Sequence, residues 1–81
     1  MDRWITVKIA AGLFPTERTV RFNTAEGEVS VFVSSTHVDE ARTAMKVNVI
    51  DEDESFALVQ VPSQSGLTVA KVPRSVLQRQ R

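Results

Sequence analysis

Six short runs of this chain largely alternate apolar with polar residues, and that alternation constrains the fold more than any other feature. Val29-Ser30-Val31-Phe32-Val33-Ser34 is one such run, and Ala44-Met45-Lys46-Val47-Asn48-Val49 is another. A period of two marks a strand with one face on a core and the other in water. The first strand is predicted over residues 4–10, with Ile5, Val7 and Ile9 on one face. Gly12 and Pro15 punctuate the loop that follows, and Leu13 and Phe14 are expected to fold back onto the core. Residues 17–22 form a second strand with Val20 and Phe22 inward. Gly27 then supplies the left-handed residue of a tight, bulged hairpin turn. The third strand, 28–34, gathers Val29, Val31 and Val33 on one face, which leaves Phe32 out of step on the other.

The middle of the chain changes period. Thr36-His37-Val38-Asp39 matches a helix-capping pattern, and Val38, Ala41 and Met45 recur at helical spacing. Asp39 and Glu40 lie at the positive end of the implied dipole, so a short helix is predicted over 37–43. Strands return over 45–50, 56–61 and 67–72. The run 56–61 is nearly continuous in apolar character, as in a strand covered on both faces. Acidic residues 51–54 and the segment 62–66 are the intervening turns. Pro73 stops the sheet and opens a helical turn, Val76 and Leu77 plug the core, and residues 78–81 are expected to fray.

Three strands, a short helix, three strands and a final turn make a mainly β fold: a small antiparallel barrel or sandwich in one domain, residues 1–81. An α+β arrangement is the alternative. The segment Val69-Ala70-Lys71-Val72-Pro73-Arg74-Ser75-Val76-Leu77 resembles the last strand and short helical turn of SH3-like barrels. That resemblance favours an SH3-like barrel as architecture. It does not extend to proline-rich ligands, which such domains hold on aromatic grooves that include tyrosine, because this chain has no tyrosine.

The chemistry carried by these elements is sparse. Cysteine is absent, which removes thiol catalysis, thiolate zinc sites and disulfides, and fits a cytoplasmic location. His37 is the sole histidine and has no partner at metal-ligand spacing, so it reads as a polar residue at a helix start. Counted from Asp51, the sixth position of a calcium loop is Phe56 where glycine is required. Glycines stand only at 12, 27 and 66, so there is no phosphate-binding loop. No cofactor or metal is expected, and the chain is read as non-enzymatic. A site completed across an oligomer with His37 is the enzymatic alternative.

Ten basic and ten acidic residues cancel, so overall charge favours neither nucleic acid nor a membrane surface. Every apolar run is interrupted before the roughly 18 residues needed to cross a bilayer. The N-terminus lacks the pattern of a signal peptide, since Asp2 offsets Arg3 and Lys8 interrupts the apolar stretch. The expected function is a small module that binds a protein partner or self-associates, because strands 28–34 and 56–61 are apolar on both faces. Candidate interaction residues are Trp4, which caps the core or anchors a partner, and Phe32. Lys71, Arg74, Arg79 and Arg81 add a C-terminal basic stretch. With Arg18 and Arg21, that stretch motivates the alternative of nucleic-acid binding.

Overall fold

The computed structural model describes residues 2–64 and 66–78. It is a curled antiparallel sheet of eight strands: β1 (Asp2–Thr6), β2 (Lys8–Ala11), β3 (Glu17–Thr24), β4 (Gly27–Ser34), β5 (Val38–Asp39), β6 (Ala44–Glu52), β7 (Phe56–Ser63) and β8 (Gly66–Pro73). The order is β1-β6-β7-β4-β3-β2, with β8 also on β7 and β5 on β6. The helical content is two 3₁₀ turns, Ser35–His37 and Arg74–Val76. The mainly β reading therefore holds, with eight strands where the alternation predicts six, because the expected first strand divides in two and β5 forms within the expected helix.

One core lines the concave side. Ile5, Val20, Val33, Met45, Val59, Val61 and Val72 are each fully buried. Two long hairpins supply most of it. β3 and β4 pair from Glu17↔Ser34 to Thr24↔Gly27, and β7 and β8 pair from Phe56↔Pro73 to Ser63↔Gly66. Each hairpin closes on a glycine with positive φ, Gly27 at 115° and Gly66 at 117°. The expected bulge at Gly27 does not occur; pairing there runs without a register shift. A shift falls instead between Val49 and Asp51 in β6, where Ile50 turns outward. Among the described residues the β4–β7 ladder is the single pair Val33↔Ser63, so the sheet curls sharply between the hairpins.

Four local expectations need correction. The strand expected over 4–10 is broken at Val7, whose N–H donates to Thr43 O (2.9 Å) instead of to a neighbouring strand. Val7 stays buried at this corner while the chain passes from β1 to β2. The helix expected over 37–43 contracts to the single 3₁₀ turn at Ser35–His37. Ser34, rather than Thr36, caps it by accepting from Thr36 N–H. Val38 then enters β5, and the Asp39 carboxylate accepts Arg42 N–H (3.2 Å), which closes a turn in place of a helix. Thr43 completes that turn at φ 48°.

Leu13 and Phe14 do not fold back; they stand 79% and 65% exposed. At the far end, Gln78 is tied in rather than frayed: its N–H donates to Trp4 O (2.8 Å) and its side chain to Thr6 and to Arg42 O. The remainder of the expected frayed end, 79–81, lies outside the described residues. Pro73 does precede the C-terminal 3₁₀ turn, after which Leu77 bridges to Ile5 and packs on the core with Val76.

Candidate interaction surface

Burial of Ala57, Val59 and Val61 assigns the other parity of β7, Phe56, Leu58, Gln60 and Pro62, to the convex face. Register then places Leu58 opposite Lys71, Gln60 opposite Val69 and Pro62 opposite Leu67. Leu58, Val69 and Leu67 are 36%, 53% and 70% exposed, so the central strand is covered on its concave face alone. The expected second cover for 56–61 is not provided among the described residues. Alongside, Asn48 Nδ2 donates to Gln60 Oε1 (2.8 Å), which fixes two polar side chains at the border of the apolar strip. Neighbouring apolar groups on a convex face have the composition of a contact surface.

Lys71 and Arg74 lie at one end of this strip and are already engaged. Lys71 Nζ sits 4.7 Å from the centroid of the Phe56 ring. Arg74 Nε contacts Glu52 Oε2 at 2.8 Å, and Arg3 reaches the other oxygen of the same carboxylate at 3.9 Å. Arg79 and Arg81 lie outside the described residues. Asp53, in the adjoining acidic turn, accepts the N–H groups of Ser55 and Phe56, both at 2.8 Å. These bonds, the Phe56 one foremost and then that of Ser55, hold its carboxyl below the usual carboxylate range; Lys71 and Arg74 add to the effect against slight desolvation. A depressed folded-state value contributes stability above the unfolded value and loses it as pH falls through the folded one. Asp53→Asn is therefore expected to flatten the acid limb of a plot of melting temperature against pH. An unchanged acid limb would show that this turn does not couple to folding.

Trp4 and Phe32 belong to separate places. Trp4 is half-buried on the convex face of β1, across from Lys46, with the Arg42 guanidinium 5.1 Å from its ring centroid. Phe32 is 46% exposed on the convex face of β4, and its carbonyl accepts Gln64 N–H (2.7 Å) beside the β7–β8 turn. The fold thus brings Lys71 and Arg74 together and leaves Trp4 and Phe32 apart from them. His37 borders a shallow cleft with Asp2, Lys46 and Gln60. No cluster of three or more His, Asp or Glu side chains with metal-binding geometry occurs among the described residues.

Two further features escaped the sequence reading. The first is the loop 12–16. Glu17 is a buried acid; its Oε1 accepts Leu13 N–H (2.7 Å), and its backbone exchanges bonds with Gly12 and Phe14. Arg18 Nη1 donates to Pro15 O (2.7 Å) and Glu17 O (2.9 Å). The loop is held from within while Leu13 and Phe14 point out. The second is a groove of about 260 Å³ between the β3–β4 hairpin and β8, walled by Phe22, Val29, Val31, Val69 and Ala70. Both features combine residues that the linear pattern assigns to a core.

No protein-family model, curated protein or solved structure matches this chain.

Proposed function

We propose that this chain is a non-enzymatic interaction module that binds protein through the convex face of β7 and β8. The observation that carries this reading is the exposed strip of Leu58, Val69 and Leu67 beside the immobilised Asn48–Gln60 pair. Burying such side chains contributes about 25 cal/mol for each Å² of apolar surface removed from water. An SH3-like barrel is the finer architecture we infer. The run of β8 into the 3₁₀ turn and the return of Leu77 to Ile5 support it. The absence of cysteine supports a cytoplasmic setting. No helix among the described residues is long and apolar enough to cross a membrane.

The test is purification of the tagged chain from its native cell, wild type beside Leu58→Asp and Leu67→Asp. A stoichiometric protein partner that both substitutions reduce at least tenfold is expected. Equal recovery with wild type and both variants would remove this face from the function.

The second reading, nucleic-acid binding, draws on Arg21, which lies directly across from Lys8 on the β2–β3 ribbon. The same geometry weakens it, since Lys8 pairs with Glu28 (3.4 Å) and Arg74 with Glu52. Salt-dependent binding to RNA or DNA that is lost on substituting Arg21, Arg74, Arg79 and Arg81 by Gln would restore it. No shift at low salt would end it.

A further inference from the structure

The two long hairpins are tied into the molecule in the same way. Ala25 N–H donates to Lys71 O (2.8 Å); Gln64 N–H, 39 residues after Ala25, donates to Phe32 O (2.7 Å), 39 residues before Lys71. Ser35 N–H donates to Thr16 O (2.8 Å), and Arg74 N–H donates to Ser55 O (2.9 Å), with the same spacing at both ends. The 3₁₀ turn Ser35–His37 recurs as Arg74–Val76, and each is closed by the residue after it, Val38 N–H to Ser35 O and Leu77 N–H to Arg74 O. Val38 then pairs with Met45 as Leu77 pairs with Ile5. Before the loop 12–16 the spacing is 40: Lys8↔Arg21 and Ile9↔Val20 match Asn48↔Gln60 and Val49↔Val59.

One unit, residues 2–39, is therefore repeated as residues 42–78, and a pseudo-twofold axis through the Ile5↔Met45 pair exchanges the two. Identical residues at corresponding positions are Val7 and Val47, Val20 and Val59, Gly27 and Gly66, and Val33 and Val72: buried valines and the hairpin glycines. The start of the unit is where the copies differ. Asp2 and Arg3 open β1 in extended conformation. Their counterparts, Arg42 and Thr43, are bent into a turn, with Thr43 at φ 48°, a backbone disfavoured for a β-branched residue. Two long bonds hold that turn, Arg42 N–H to the Asp39 carboxylate (3.2 Å) and Thr43 N–H to Glu40 O (3.3 Å). The bend is there because two linking residues, Glu40 and Ala41, must return the second unit to the first.

We infer that the turn at 40–43 is a hinge through which the two units exchange between copies of this chain: residues 2–39 of one molecule clasp residues 42–78 of another, and reciprocally. The clasp is the one already present within a single molecule, β1 on β6 and Val33 on Ser63, so the exchanged dimer needs no new surface. Opening the hinge lets Arg42 and Thr43 extend as Asp2 and Arg3 do, which releases the left-handed backbone at Thr43 in both chains. Short hinges under strain favour such exchange. The cost is the loss of independent motion of two molecules, so exchange grows with concentration. This inference is independent of the protein-binding reading above, because no convex-face contact enters it.

Refolding at about 1 mM followed by gel filtration tests it, that concentration covering weak associations. Wild type is expected to give, beside monomer, a dimer that persists on dilution. The chain has no cysteine, so Trp4→Cys with Lys46→Cys, at positions directly paired across the two units, reports which chain supplies each partner. Oxidised after refolding, the disulfide is expected to join two chains in the dimer and to close within one chain in the monomer. Thr43→Gly accepts a positive φ freely and is expected to lower the ratio of dimer to monomer at least tenfold, because each dimer opens two hinges. Deleting residues 40–42 removes the turn and is expected to leave dimer alone; if that shortened chain does not fold, the disulfide and Thr43→Gly decide. A wild type that stays monomeric after refolding overturns the proposal. So does a dimer whose disulfides close within each chain, an undiminished dimer in Thr43→Gly, or a folded monomer from the shortened chain.

Discussion

Ile5→Ala is expected to cost about 3 kcal/mol of folding stability, within the usual range for truncating a fully buried aliphatic side chain. Ile5 is fully buried, lies opposite Met45 in β6, and bridges to Leu77 after the last 3₁₀ turn. Its side chain therefore fills the place where the beginning of the chain, the middle and the end meet. Truncation leaves a cavity that β1 cannot close, because β1 is pinned to β6 from Asp2↔Asn48 to Thr6↔Ala44. A domain of this size has a folding free energy on the order of 5 kcal/mol, so such a loss removes much of the margin. In urea titrations the midpoint is expected to fall with an unchanged slope. Ile50→Ala provides the contrast: the same residue type stands 49% exposed at the β6 bulge, and its truncation is expected to cost less than about 0.5 kcal/mol. Similar losses at the two sites would show that Ile5 is not the closing residue of the core.

The difference between these two isoleucines was only partly legible in the chain. Ile5 falls in phase with Val7 and Ile9, and alternation identifies such a face whenever one side of a strand is buried. For the same reason the hairpin strands were readable to within a few residues of their ends. The break at Val7 was not, because Ile5, Val7 and Ile9 stay in phase through the corner while the hydrogen-bonding partner changes to Thr43. The helix misreading has a similar origin. Val38 and Met45 do share a face, but as directly paired residues of β5 and β6. The engagement of Arg74 was illegible because its partner, Glu52, ends β6 and reaches it only through the β7–β8 hairpin. Apolar character alone predicts burial at Leu13 and Phe14. What holds them outward is a carboxylate at Glu17, which the sequence presents as one more strand-edge acid.

Gly12→Ala tests that arrangement from the backbone. A Cβ at Gly12 would lie 2.7 Å from the carbonyl carbon, carbonyl oxygen and Cγ of Glu17, and two of those three atoms are backbone. A flexible side chain could swing aside, but here the β3 strand or the loop must move. Gly12 N–H also donates to the same carbonyl (3.1 Å), so the close approach is part of the turn itself. Overpacking of this kind costs about 2 kcal/mol. Leu13 and Phe14 remain in Gly12→Ala, yet the displaced loop no longer holds them in the geometry set by Glu17 and Arg18. The melting temperature is expected to fall, and hydrogen exchange at Leu13 N–H, which donates to the Glu17 carboxylate, is expected to quicken. Leu13→Ser gives the contrast, near wild-type stability at a position 79% exposed. If Gly12→Ala melts with wild type and Leu13 N–H exchanges no faster, the tight turn is not what holds the pair outward.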